Sequence, residues 1–301
     1  MTNEKTLWMK LRPYLNSAPA LTLIGLIVLF PILYTFYISL TNMNIYNWFT
    51  FRIIGFDNYR RALFVLDSGF FRAVYITIIW TVVNMVLQLV FAFIIATLLN
   101  NKYIKFKGLY KTLLMVPWAI PGYVSILLWK TGMFNSEFGL LNQWMDLLGF
   151  NRVDWLSNEF SAFVSLVVVN LWLALPFMIM IMDGALQSID RSYYEAAELE
   201  AASKFKQATL ITIPLIRPAI GPAVIITIFT TFKQFDIFYL LTLQPGSRTG
   251  ANLHTIITYA YENAFITNNY GYSSAISIII FFMLIGFVVL TNKNLRRAQN
   301  D

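Results

Sequence analysis

An all-α membrane protein of six transmembrane helices is what the sequence predicts, and three observations predict it. Of 301 residues, 58% are hydrophobic and 12% charged, where an average soluble domain has about a quarter of its residues charged. The mean hydropathy is +0.62. Six apolar stretches approach the roughly 20 residues that a helix needs to cross a bilayer. Between the fourth and fifth stretches lies the longest polar, helix-prone run of the chain, from Ser192 to Pro218.

The elements follow in order. Residues 1–20 carry Lys5, Lys10 and Arg12 and no long apolar run. The small pair Ala18 and Ala20 precedes the first apolar stretch, whereas a signal-peptidase site follows one. The first span, residues 21–40, is therefore expected to be an uncleaved anchor. Residues 41–72 are mixed, with Trp48 and the phrase Gly55-Phe56-Asp57-Asn58-Tyr59. The second span, 74–99, places Asn84 and Gln88 one turn apart, a pattern suited to joining helices. A short basic loop follows with Lys102, Lys105, Lys107 and Lys111. The third span, 113–129, contains Pro117 and Pro121, tolerable where neighbours satisfy the freed backbone.

Residues 130–160 form a polar, aromatic loop whose Trp144 and Trp155 read as interfacial anchors. The fourth span, 160–182, is interrupted by Pro176. The fifth, 218–243, is unusually polar, with Thr227, Thr230, Thr231, Lys233, Gln234 and Asp236. A loop with Pro245-Gly246 and the single histidine, His254, leads to the sixth span, 272–290. The organisation expected is a tail over 1–20, a membrane domain over 21–292 with a loop at 183–217, and a tail over 293–301.

Six spans put both termini on one side, and charge selects the side. Segments 1–20, 100–112, 183–217 and 291–301 hold 14 Lys plus Arg, against 7 on the opposite side. The positive-inside rule then places both termini and the 183–217 loop in the cytoplasm. The net charge of +7 is thus assigned to topology and lipid rather than to nucleic acid.

Within the polar run, Ser192 and Glu195 have capping-box spacing. Glu and Ala then favour helix, and Pro214 and Pro218 are expected to stop it. A short helical hairpin at a membrane surface results. Glu195-Ala196-Ala197, Glu200-Ala201-Ala202, Ile213-Pro214 and Arg217-Pro218 resemble the EAA loop of bacterial binding-protein-dependent ABC importer permeases. The resemblance implies a cytoplasmic coupling helix that docks into a cleft of an ATP-hydrolysing subunit, with Tyr194, Glu195, Ala196, Ala197, Glu200 and Ala201 as its coupling residues. The family's usual pair at Glu200-Ala201 is Asp-Gly. Glu keeps the charge, but Ala gives up glycine's free access to positive φ, so the bend is the feature this departure bears on.

Further motifs extend the likeness across nearly the whole chain. Pro117-Trp118, Phe138-Gly139-Leu140-Leu141-Asn142, Asp154-Trp155-Leu156, Asn170-Leu171-Trp172, Pro176-Phe177, Phe235-Asp236 and Leu241-Thr242 resemble the carbohydrate-uptake branch of these permeases. Thr242-Leu243-Gln244-Pro245-Gly246 departs from it, since relatives carry a glycine-rich run before the proline.

Covalent chemistry is not indicated. There is no cysteine, hence no disulfide or thiol nucleophile. A phosphate-cradling loop would need a Gly-Lys pair, and the chain has none. One histidine and no cysteine make no transition-metal cluster, and His254 reads as a surface residue. A non-catalytic subunit without cofactor is expected, with ATP bound by a partner. Lys233 and Asp236, three apart in the fifth span, read as a self-neutralised pair or as an ion relay.

Two polar-aromatic faces remain. Asn170, Leu173, Ala174 and Phe177 follow i, i+3, i+4, i+7 on the fourth span, and Thr227, Thr230, Thr231 and Gln234 repeat that spacing on the fifth. Such faces either bind a sugar, whose hydroxyls need donors and acceptors and whose C–H face stacks on aromatic carbon, or pack helix to helix. The resemblance implies the first, a mid-membrane substrate pocket.

The expectation is the membrane subunit of an ATP-driven carbohydrate importer in the bacterial cytoplasmic membrane, with a maltodextrin-type oligosaccharide as the narrower reading. Its expected partners are a second homologous permease, two ATPase subunits and an extracytoplasmic sugar-binding protein. The alternative is a proton- or ion-coupled secondary transporter using Lys233 and Asp236, although the acidic or histidine relays and internal repeats expected there are missing.

Overall fold

The structure, a computed structural model, describes residues 13–14, 16–65, 69–243 and 253–300. Lys5, Lys10, Arg12 and Pro245-Gly246 lie outside the described residues. Among those described the elements are helices: α1 (Asn16–Ser39), α2 (Asp57–Phe64), α3 (Phe70–Asn100), α4 (Lys107–Ala119), α5 (Gly122–Leu128), α6 (Leu140–Leu147), α7 (Glu159–Gln187), α8 (Arg191–Leu199), α9 (Lys204–Gln207), α10 (Ile213–Phe232), α11 (Asp236–Phe238), α12 (Ile256–Phe265) and α13 (Tyr270–Asn300). Five spans are long and apolar enough to cross a membrane, and six result if the bent pair Lys107–Ala119 and Gly122–Met133 counts as one.

Proline explains most departures from the expected spans. The third span is not straight, because it turns by 90° between Ala119 and Gly122. Pro121 sits at the break with ψ 129, outside the helical region. Pro176, by contrast, does not interrupt α7, which runs on to Gln187. Packing against neighbouring helices offsets the one lost backbone bond. Pro214 and Pro218 do not end a helix either. Pro214 lies at the start of α10 but within a continuous helical run, and Pro218 and Pro222 lie deeper inside it, their missing N–H groups tolerated as in other membrane helices. A π turn, Ala208–Thr212, joins α9 to α10 without a gap.

The chain divides into two compact units, residues 1–70 with 259–283, and 71–258 with 284–301. In the first, the Gly55–Tyr59 phrase ties off the end of α1. Asn58 is buried and donates to the carbonyls of Ser39 and Thr41, both at 2.8 Å. The Tyr59 and Ser39 hydroxyls meet at 2.6 Å. Gly271 fits only as glycine, since a Cβ there would come within 2.1 Å of the Thr41 carbonyl oxygen.

The second unit holds two apolar clusters, one around Trp80, Leu166 and Phe238 and one around Met85, Met178, Met182 and Ile216. Trp80 is fully buried, and its ring stands edge-on to Phe238 with centroids 4.8 Å apart. Its Nε1 donates to the Thr231 carbonyl at 3.0 Å, which fixes the end of α10 against α3. Trp155 is half-buried. It packs on the first cluster and donates to Asn142 Oδ1 at 3.2 Å. Asn142 also exchanges bonds with Val153 in both directions, so the two loop motifs form one knot. His254 is half-buried between buried Leu253 and Thr255 rather than on the surface. The last helix continues through the expected C-terminal tail to Asn300.

Candidate functional site

Because α7 stays helical through Pro176, the i, i+3, i+4, i+7 spacing of Asn170, Leu173, Ala174 and Phe177 becomes a real face. The end of α10 brings Thr227, Thr230 and Thr231 opposite it. Gln234 follows the end of that helix in an irregular break, yet reaches the same place. All eight residues line one cavity of about 320 Å³, together with Trp118, Ile226 and Ile237. Among the described residues, no ionisable side chain belongs to that lining.

Both roles considered for these polar residues are present. Asn170 is 4% exposed and donates through Nδ2 to Asn84 Oδ1 at 2.6 Å, and Asn84 donates in turn to the Trp80 carbonyl at 2.8 Å. That is helix joining, as the spacing of Asn84 predicts. Gln88 is equally buried but meets no partner among the described residues. Thr230 turns its hydroxyl back to the Thr227 carbonyl at 3.0 Å. The Thr227 hydroxyl, however, is buried and has no partner among the described residues. The cavity therefore offers hydroxyl and amide groups beside the carbon faces of Phe177 and Trp118. Trp118, Ile226 and Ile237 are the lining residues that spacing arguments missed. The signal for Trp118 was its place in the Pro117-Trp118 motif; the break in that span comes later, at Pro121.

Lys233 and Asp236 do not pair. No ion pair within 4.0 Å joins them, and neither lines the cavity. The i, i+3 argument fails because they share no helix. Lys233 caps the end of α10, whereas Asp236 opens α11, where a carboxylate suits the positive end of the dipole.

The polar run after α7 folds as a helical hairpin. Asp190, not Ser192, caps α8. Its carboxylate accepts from the Ser192 backbone N–H at 2.9 Å, and that bond holds its pKa below the ordinary value. Asp190 wins because its carboxylate, two residues ahead of Ser192, reaches a free N–H of the first turn. The helix ends in a Schellman motif: the Ala202 N–H bonds to the Ala197 carbonyl at 2.9 Å and the Ala201 N–H to the Glu198 carbonyl at 3.0 Å. Ala201 holds the left-handed position, at φ +50, where glycine is usual. The bend thus survives the departure from Asp-Gly at a local strain.

Tyr194 faces inward, its hydroxyl 2.9 Å from that of Thr212, and Ala197 is half-buried. Glu195, Ala196, Glu200 and Ala201 are exposed. So is Leu199, at 91%, an apolar side chain standing free at the hairpin tip. Leu199 and the exposed Phe205 carry no periodic signal in a stretch whose charges dominate its pattern. Lys204 bonds Glu198 at 2.7 Å and lowers its pKa.

A buried charge also went unread. Asp183, near the end of α7, is 3% exposed. It accepts from Lys111 Nζ at 2.6 Å, Asn100 Nδ2 at 2.9 Å and Gln187 Nε2 at 2.8 Å. The set compensates the carboxylate fully, as a buried charge requires, and binds α3, α4 and α7 beside the hairpin. Among the described residues no group of three His, Cys, Asp or Glu could hold a metal ion.

Residues 88–295 match the family described as the binding-protein-dependent transport system inner membrane component. The trehalose/maltose transport system permease protein MalF of Thermococcus litoralis is 32% identical, over 96% of this chain and 97% of its own. The galactooligosaccharides transport system permease protein GanP of Bacillus subtilis is 31% identical, over 92% of this chain and 68% of its own. A bacterial ABC transporter involved in the import of the acidic polysaccharide alginate shares the fold, with a TM-score of 0.79 at 21% identity, over 97% of this chain and 99% of that one.

Proposed function

We propose a function from one premise: this chain belongs to the family of binding-protein-dependent transport system inner membrane components, as a carbohydrate permease subunit of an ABC importer. The substrate is an uncharged oligosaccharide of the maltodextrin kind, and it crosses by way of the cavity between α7 and α10. One observation carries this reading. Eleven residues line that cavity, with amides, hydroxyls, an indole and a phenyl ring but no ionisable group. A neutral sugar satisfies such a wall with hydroxyls and stacking carbon. A uronate would lose hydration without meeting a counter-charge. Relatives named for trehalose/maltose and maltodextrin support the choice.

The assembly comprises this chain, a second permease, two ATPase subunits and an extracytoplasmic binding protein that delivers the sugar. Both termini and the α8 hairpin face the cytoplasm. ATP binding closes the ATPase pair, the hairpin follows, and α9 with α10 carries the movement to the cavity. Glu195 and Glu200 supply charge to the docking surface, and Leu199 supplies the apolar knob that a cleft would cover. Lys233 and Asp236, unpaired with each other and off the cavity, give the proton-coupled alternative no support.

The test is uptake into proteoliposomes of the purified complex, with ATP inside and binding protein outside. Labelled maltodextrins should accumulate and oligouronates of equal length should not. Preferential uptake of the uronates would overturn the neutral-sugar reading.

A further inference from the structure

The loop between α3 and α4 shapes a second cavity, of about 610 Å³, which the transport reading does not use. Its wall is mostly apolar carbon, including Leu98 and Leu113, together with the rings of Tyr103, Phe106 and Tyr110. Lys105 belongs to the same lining. Phe106 holds φ +57, a left-handed conformation that a bulky side chain rarely adopts, and such strain collects where function fixes a side chain. Tyr103 and Phe106 are both more than three-quarters exposed.

Charge distinguishes this groove from an ordinary apolar flank. From residue 68 to residue 136 the sequence contains no Asp or Glu, yet Lys102, Lys105, Lys107 and Lys111 fall within ten residues. Lys111 is committed to Asp183. The other three have no carboxylate within 4.0 Å among the described residues, and Lys102 Nζ lies 5.2 Å over the Tyr103 ring. Aromatic side chains mark the level of the membrane surface, and a basic pocket at that level attracts anionic headgroups.

We propose that this groove binds one anionic phospholipid, with its phosphate held by Lys102, Lys105 and Lys107 and an acyl chain laid along Leu98 and Leu113. Lys102 also acts electrostatically on Glu198 of α8, so an occupied groove changes the charge that the hairpin meets. This site stands whether or not the neutral-sugar reading does.

The experiment uses the full chain in its purified complex, reconstituted in nanodiscs of phosphatidylglycerol mixed with phosphatidylcholine, then released for native mass spectrometry. One phosphatidylglycerol should remain per chain, retained over phosphatidylcholine by on the order of tenfold or more. Its retention should fall as salt rises, a measurement that needs no variant. Lys105→Glu with Lys107→Glu should abolish retention, and Lys105→Arg with Lys107→Arg should keep it. Equal retention of the two lipids overturns the site, as does salt-independent retention. A photo-crosslinker at Tyr110 that captures a protein chain instead of lipid overturns it too.

Discussion

Asn170 donates its side-chain amide to Asn84 across 2.6 Å while standing in the wall of the candidate sugar cavity. One residue therefore joins α3 to α7 and faces the candidate cavity. Asn84→Ala should lower the stability of the complex by about 0.5–2 kcal/mol, the range for polar contacts between membrane helices, and leave the sugar concentration for half-maximal uptake unchanged. Asn170→Ala should cost the same stability and raise that concentration as well. Thermal unfolding and uptake measured on both variants separate the two roles. Identical behaviour of the pair would assign Asn170 to packing alone.

Gln234 and Phe177 have no such double duty in view. Gln234→Ala should remove about 1–3 kcal/mol of sugar recognition, which is about one to two decades of uptake efficiency. Phe177→Ala should lose the stacking surface, and Phe177→Tyr should retain it. Uptake is the readout, with sugar-independent ATPase activity as control for assembly.

Glu195→Lys should abolish sugar-stimulated ATP hydrolysis and leave the membrane fold intact, because the side chain is exposed outside the spans. Leu199→Ser should weaken association with the ATPase without altering the permease's own unfolding. Co-purification of the subunits and ATPase assays check both. Normal coupling in Glu195→Lys at normal expression would remove Glu195 from the role.

Ala201 at φ +50 makes a prediction of opposite sign. Ala201→Gly should stabilise the hairpin by about 1 kcal/mol or less, since glycine enters this region without Cβ strain but starts from a freer unfolded chain. Ala201→Val should distort it. Amide hydrogen exchange over residues 197–203 should slow in the first variant and quicken in the second.

The hairpin should also respond to acid. The Glu198 carboxylate is lowered in pKa by its hydrogen bond to Lys204, and Asp190 by the Ser192 N–H. A depressed carboxylate contributes stability above its ordinary pKa and loses it as pH falls through the depressed value. Exchange over α8, corrected for intrinsic rates, should therefore stay flat near neutrality and rise as pH drops below the ordinary carboxylate range. Glu198→Gln should remove the Glu198 share of that rise.

The spans were legible because a bilayer demands long apolar runs, and the pairing of the α7 and α10 faces was legible because helical period survives in sequence. Proline was harder to read. Pro121 breaks its span and Pro176 does not, and the difference lies in whether neighbouring helices hold the flanking turns. Asp183 stayed hidden because its three partners come from positions 100, 111 and 187, a closeness that only folding creates. Ser192 was preferred as a cap on spacing, although Asp190 stood two residues earlier with the stronger acceptor.

The absence of any gap between Lys204 and Phe232 has a mechanical meaning. At 1.5 Å per residue this stretch is a lever arm about 40 Å long, with the hairpin at one end and Thr227, Thr230 and Thr231 at the other. A tilt of roughly 5° at the hairpin sweeps the far end by about 3–4 Å, more than the length of a hydrogen bond. The break at Lys233–Phe235 marks where that arm ends: α11 begins a separate segment seated against Trp80 through Phe238, and the Trp80 bond to the Thr231 carbonyl is the contact that a swing of the far end must strain or release.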